Sequence, residues 1–303
     1  MNIKSELEKN KYVKSVEPVD LRGVLRAEGG GKKILAEKYL KAINVYRFVY
    51  TVTSKEVVGY VSIPKMKEGE KLPCIIHLRG GSGEFGRLDP SSLPEKLVKY
   101  SAEGYVVIAT QYPGVEGGTG KDSFGGPDDI LSILKLKDIL KSIPVADAEK
   151  IGVKGHSRGG LMVYMLLREV RWVKCAVISG APVDQIREAE EREGWRKHQV
   201  SMWGASRGQS LRRSPIFWVG EMTKKTPILL MHGSSDRRVS PQNALRMSAA
   251  MTEAVIPHRF LLFEGADHVI TEHKEEYFAQ TLCWFERFLK NKELLPDMKP
   301  HGK

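Results

Sequence analysis

The sequence predicts an α/β fold: a mostly parallel, doubly wound sheet with an N-terminal antiparallel hairpin and a helical lid insertion. Three observations carry this. From Pro73 onward, short β-rich apolar runs alternate with amphipathic helical stretches, the pattern of parallel strand-helix-strand units. Ahead of them, residues 45–64 alternate apolar and polar side chains on both sides of a polar break at Ser54 and Lys55, as the two arms of a hairpin do. Residues 184–214 form a charged, Trp-bearing stretch far longer than the few residues that usually join a strand to a helix.

In chain order, residues 1–44 read as a mostly polar leader, with a break at Gly29-Gly30-Gly31 and a helix-like stretch around Ile34 to Ile43. The hairpin follows, and residues 45–303 read as one domain with a decorated edge. Its strand candidates are CIIHL (74–78), YVVIAT (105–110), KIGVKG (150–155), VKCAVIS (173–179), PILLMHG (227–233) and HRFLLFEG (258–265). The helical pattern from Asp128 to Ile143 places Ile130, Ile133, Leu134 and Leu140 near one face, and a second runs from Leu161 to Val170. A last helix, around Tyr277 to Leu289, spaces Phe278, Leu282, Phe285 and Leu289 for packing on the sheet. The 184–214 insertion reads as a lid, against the plainer reading of a solvated charged helix.

Composition excludes several classes. With 303 residues, 41% hydrophobic and 28% charged, the chain is ordinary globular protein rather than collagen-like, low-complexity or disordered. No apolar run approaches the roughly 18 residues of a membrane span, and MNIKSELEKNKYVK is charged, so neither a membrane nor a signal peptide is expected and the location expected is cytoplasmic. The net charge of +11 raises a nucleic-acid partner, but residues 1–44 hold 10 Lys/Arg against 6 Asp/Glu and residues 290–303 hold 4 against 2. The excess reads as solvated ends without a basic, aromatic-interleaved stripe, so no nucleic acid is expected. Cys74, Cys175 and Cys283 are far apart and show no C-x-x-C spacing, which suggests neither disulfides nor zinc. Oligomeric state is not legible.

The most specific local signal is Gly155-His156-Ser157-Arg158-Gly159, a G-x-S-x-G sequence after a strand and before a helix. A sharp turn there presents a serine on a strained backbone, and the glycines relieve the crowding. A serine hydroxyl is a poor nucleophile until a base takes its proton, so the motif calls for a carboxylate and then a histidine further along. Asp236 follows the strand PILLMHG, 79 residues after Ser157, and His268 follows the next strand, 32 residues later. In this reading Asp236 orients His268, which shuttles the proton. Asp267, next to His268, is poorly placed to reach its ring; His232 reads as support for the Asp loop and His156 as packing beside the elbow. The backbone N–H of Arg158 and that of Gly80 or Gly81 are the candidate oxyanion donors. Trp195 and Trp203, in the insertion, are candidates for the substrate pocket. H-E-x-x-H is absent and no cluster has ligand spacing, so no metal and no cofactor are expected.

Together these residues resemble the α/β-hydrolase superfamily, and in particular the catalytic domain of the prolyl oligopeptidase family of serine peptidases. The resemblance covers about residues 45–290. It rests on the hairpin, LRGGSG (78–83), GHSRGG (155–160), HGSSDRRV (232–239), EGADH (264–268) and GKDSFGGPDDI (120–130), the last similar to a G-x-D-x-F-G-G-x-D stretch of the family and read as structural. It implies triad roles for Ser157, Asp236 and His268 and a small peptide substrate. There are departures. The gating β-propeller of many members is absent, so its size exclusion does not carry over, nor does the amino-terminus recognition of dipeptidyl members. Where several members carry an oxyanion-donating tyrosine stands Arg79, which shifts the expectation to a backbone donor. Three functions follow in order: a hydrolase of short peptides, a carboxylesterase with the same triad, and a non-enzymatic binding protein on the scaffold.

Overall fold

The computed structural model describes residues 3–21, 42–65, 69–204, 206–299 and 301–302. The Gly29-Gly31 break and nearly all of the helix-like stretch expected around Ile34 to Ile43 lie outside them. The chain divides into two compact units, Met1–Asp122 with Pro127–Ile151, and Ser123–Gly126 with Gly152–Lys303.

In the first unit, β1 (Val13–Pro18), β2 (Ile43–Val52), β3 (Lys55–Pro64), β4 (Leu72–Leu78) and β5 (Val106–Thr110) run in the order β1-β2-β3-β5-β4. The expected hairpin is β2 and β3. Val52 pairs with Lys55, so the turn is Thr53-Ser54, one residue earlier than the polar break suggested, with Thr53 at φ 55°. β1, which the polar leader hid, pairs antiparallel with β2, and β4 and β5 pair in parallel. Along with α1 (Ile3–Glu8), this unit holds α2 (Pro127–Leu140), whose buried residues are Asp129, Ser132, Ile133, Leu136, Ile139 and Leu140. Ile130 and Leu134, expected inside, are only half-buried. The reason is polar: the Ser132 hydroxyl donates to the Asp128 carbonyl at 2.7 Å and Tyr50 of β2 donates to the Ser132 carbonyl at 2.9 Å, so Ser132 is satisfied on the inward face. Hydrophobic periodicity cannot register a polar residue buried by its hydrogen bonds.

β6 (Ala146–His156) carries the chain into the second unit, where β6, β7 (Val173–Ser179), β8 (Ile228–Gly233) and β9 (His258–Phe263) follow in that order. The β7-β8 and β8-β9 pairs are parallel, so the C-terminal ends of these strands share one edge, where open α/β sheets place their chemistry. The helices are α3 (Arg158–Glu169), α4 (Gln185–Glu191), α5 (Glu193–Trp203), α6 (Arg207–Arg212), α7 (Gln242–Glu253) and α8 (Lys274–Phe285). The 184–214 insertion is thus the helical segment α4 to α6. On α8 and the turn after it, Phe285 and Leu289 are buried as expected, while Phe278 and Leu282 are half-buried and Trp284 and Phe288 take part in the core instead.

Cys74 on β4 and Cys175 on β7 are buried free thiols, and Cys283 on α8 is exposed. Among the described residues, no helix is long and apolar enough to cross a membrane.

Candidate active site

The elbow is built by its backbone. Ser157 joins β6 to α3 at φ 56° and ψ −125°, a region L-residues rarely occupy, and its N–H donates to the Ser179 carbonyl at 2.8 Å. A Cβ on Gly155 would stand 2.2 Å from the Gly159 carbonyl oxygen, so the turn closes only on glycine. Arg158 is the first residue of α3, so its N–H belongs to the first turn at the helix N-terminus.

Because β8 and β9 are parallel neighbours, the loops after them meet. Gly233 ends β8 where a Cβ would lie 2.4 Å from the Ala266 and Asp267 carbonyl oxygens, and Ser235 N–H donates to Ala266 at 3.0 Å. This contact brings Asp236 and His268 together. His268 Nδ1 lies 2.7 Å from Asp236 Oδ2, and His268 Nε2 lies 3.0 Å from Ser157 Oγ. With Nδ1–H donating to the carboxylate, Nε2 is left as the acceptor of the serine proton.

Asp236 is buried and fully engaged. Its Oδ1 accepts from Arg238 N–H at 2.8 Å and Val239 N–H at 3.0 Å, and its Oδ2 also faces His232 Nε2 at 3.0 Å. Burial alone would raise its pKa, but the donors His232, His268 and Val239 outweigh it and hold the carboxyl well below the usual carboxylate range. Asp267 turns away: its carboxylate accepts from Val269 and Thr271 within its own turn. His156 packs beside the elbow, its ring centroid 4.7 Å from that of His268 and its Nδ1 3.1 Å from Ser179 Oγ, which in turn lies 3.1 Å from the Tyr277 hydroxyl.

Trp195 and Trp203, on α5, converge on Phe124, at ring distances of 5.5 and 5.4 Å. His198 stacks on Trp195 at 4.9 Å, and the Arg158 guanidinium sits 4.6 Å over the Phe124 ring. The aromatic cluster therefore reaches the residue that follows Ser157. Phe124 itself holds φ 54°, and the buried Arg213 fastens its segment by donating to the Phe124 and Ser123 carbonyls, each at 2.9 Å, while lying 4.8 Å over Trp203. The sequence marked GKDSFGGPDDI as a motif, but no local signal says that Phe124 would be the centre of a cluster assembled from residues some seventy positions later.

In the first unit, Gly80 and Gly81 follow β4. Gly81 has φ 72°, and a Cβ there would strike the Phe85 carbonyl oxygen at 2.1 Å. The loop is wrapped around Arg79, which is 1% exposed and donates to the Gly80, Gly83 and Phe85 carbonyls at 3.1, 2.9 and 3.2 Å. Asp122 completes the arrangement, accepting from Gly83 N–H at 2.8 Å and lying 4.0 Å from the guanidinium. Arg79 is a scaffold for the glycine loop.

The model of the prolyl oligopeptidase family matches residues 95–292. The chain belongs to the prolyl oligopeptidase family. It is a serine hydrolase of the α/β-hydrolase fold. Among its relatives is the uncharacterized peptidase YtmA of Bacillus subtilis (strain 168), 28% identical over 257 residues that make up 82% of this chain and 95% of that one. Its fold is similar to that of the Pyrococcus horikoshii acylaminoacyl peptidase (TM-score 0.75, 22% identity, 89% of this chain and 45% of that one). It is similar also to the acetyl xylan esterase from Paenibacillus sp. R4 (TM-score 0.67, 17% identity, 95% and 92%). The chain spans less than half the length of the archaeal peptidase but nearly all of YtmA.

Proposed function

We propose that this prolyl oligopeptidase-family protein cleaves short peptides through an acyl-enzyme on Ser157. The observation that carries the reading is His268, with Nε2 3.0 Å from Ser157 Oγ and Nδ1 2.7 Å from Asp236 Oδ2. His268 takes the Ser157 proton as Oγ attacks the scissile carbonyl, then gives that proton to the departing amine; in the second half a water takes the place of the serine. Asp236 fixes the tautomer and stabilises the imidazolium without itself taking the proton. The Arg158 N–H donates to the developing oxyanion, with Gly80 or Gly81 as the second donor expected from the sequence. Trp195 and Trp203, packed on the buried Phe124, supply apolar surface to a substrate side chain, and helices α4 to α6 act as the lid.

The similarity to an esterase over nearly its whole length favours a second reading, a carboxylesterase acting on small esters with the same residues. The leaving group separates the two. An amide nitrogen leaves only if His268 protonates it in place, whereas a phenoxide needs less help. The test is a panel of aminoacyl anilides, short peptides and p-nitrophenyl esters. For a peptidase, kcat/KM on the amides should reach at least roughly 10³ M⁻¹s⁻¹, somewhat below the usual enzyme range because a model substrate fills only part of the pocket. Turnover of p-nitrophenyl acetate or butyrate with no cleavage across a diverse peptide library would establish the esterase.

A further inference from the structure

We infer that His232 is a positioning residue that holds Asp236 and limits how strongly it draws on His268, an inference that rests on the triad reading above. His232 ends β8 one residue before Gly233 and is 0% exposed. Its Nε2 lies 3.0 Å from Asp236 Oδ2 and 2.9 Å from the Val239 carbonyl oxygen. Both neighbours are acceptors, so Nε2 carries a hydrogen shared between them. Its Nδ1 is buried and has no partner among the described residues. A proton on Nδ1 would create a buried charge and an unsatisfied donor.

The consequence falls on Oδ2, which accepts from two imidazoles, at 2.7 Å from His268 and 3.0 Å from His232. Oδ1 is occupied by two main-chain N–H groups, at 2.8 and 3.0 Å. About four lone-pair sites are thus all used. Every donor disperses the carboxylate charge, so the donor from His232 weakens the pull of Asp236 on the His268 proton. The other groups facing His268 are Ser157, the His156 ring at 4.7 Å and the charge of Asp267; Arg238 meets Asp236 by its main chain, and Tyr277 stands behind His156 through Ser179. None of these is altered by a change at position 232.

The variants are His232→Phe, which keeps a ring and removes the donor, and His232→Gln, whose side-chain N–H stands near the former Nε2. His232→Phe should lower kcat roughly 10- to 100-fold, the usual effect of removing a group that orients a functional ligand, with KM changed less than about twofold. The midpoint of the pH profile of kcat/KM should rise by about half a unit or more, and His232→Gln should restore both. A merely structural prop would behave otherwise, because a displaced Asp236 would lower the midpoint. An unchanged or lowered midpoint, or no rescue by Gln, overturns the inference. A readout on the native protein does not depend on these variants folding: nitrogen-15 histidine NMR should find the His232 hydrogen on Nε2. A hydrogen found on His232 Nδ1 and none on Nε2 overturns the inference even where the triad assignment stands; retained activity in Ser157→Ala or Asp236→Asn would instead sink the triad.

Discussion

Ser157 sits on a backbone that costs on the order of 1–3 kcal/mol to hold, and that cost has a use only if the hydroxyl must be presented to something. A fluorophosphonate probe should label Ser157, and Ser157→Ala should abolish labelling and hydrolysis while leaving the circular dichroism spectrum and melting temperature near those of the native protein; undiminished labelling would place the nucleophile elsewhere. Asp236→Asn should cost on the order of 10⁴ in kcat, the loss known for a triad histidine held in the wrong tautomer. Asp267→Asn should cost far less, since its carboxylate accepts from Val269 and Thr271 within its own turn. The depressed pKa of Asp236 keeps it ionised throughout the working range, so the low-pH limb of kcat/KM should show a single titration, with no second step from this carboxyl. The same depression bears on stability. A carboxyl whose folded pKa lies below its unfolded value of about 3.9 stabilises the fold fully above that value and loses the contribution as pH falls toward the folded one. Acid denaturation monitored below about pH 4 should therefore be shallower in Asp236→Asn than in the native chain.

Elements are where the sequence was most readable, and where its silences have physical causes. The parallel strands showed themselves because buried strands are continuous apolar runs, and β8 and β9 placed Asp236 and His268 on one edge before any distance was known. β1 stayed hidden: an edge strand with a single buried residue, Val16, has little apolar pattern to show. The buried face of α2 was misjudged because Ser132 and Asp129 lie on it. In the candidate site, the elbow and the two loops were legible from turn chemistry, and His232 was readable as support for the Asp loop four residues further on, while the meeting of Phe124 with Trp195 and Trp203 comes from contacts between separate elements. The elbow itself makes a prediction. Gly155→Ala introduces a methyl 2.2 Å from the Gly159 carbonyl oxygen, so it should destabilise the fold by about 1–3 kcal/mol, as overpacking does, and lower probe labelling together with the melting temperature. A variant as stable and as reactive as the native protein would show that the turn has room to spare.

At the scale of the molecule, helices α4 to α6 follow one another with no strand between them. Replacing residues 184–214 by a short loop should change the ranking of substrates more than it changes the melting temperature, because Trp195 and Trp203 leave with them; an unchanged kcat/KM across a substrate series would mark the segment as a solvated helical face. The cysteines offer a different kind of measurement. Cys74 is buried in the first unit and Cys175 in the second, burial pushes both thiols up from their ordinary pKa, and Cys283 is exposed. Since the thiolate is the form that alkylates, iodoacetamide should add one adduct to the native chain and three to the denatured one. Mapped by peptide mass spectrometry along a urea series, the second and third adducts time the opening of each half of the chain separately. Adducts that appear together would mean one cooperative transition, and adducts that appear apart would give each unit its own stability, read without any engineered probe.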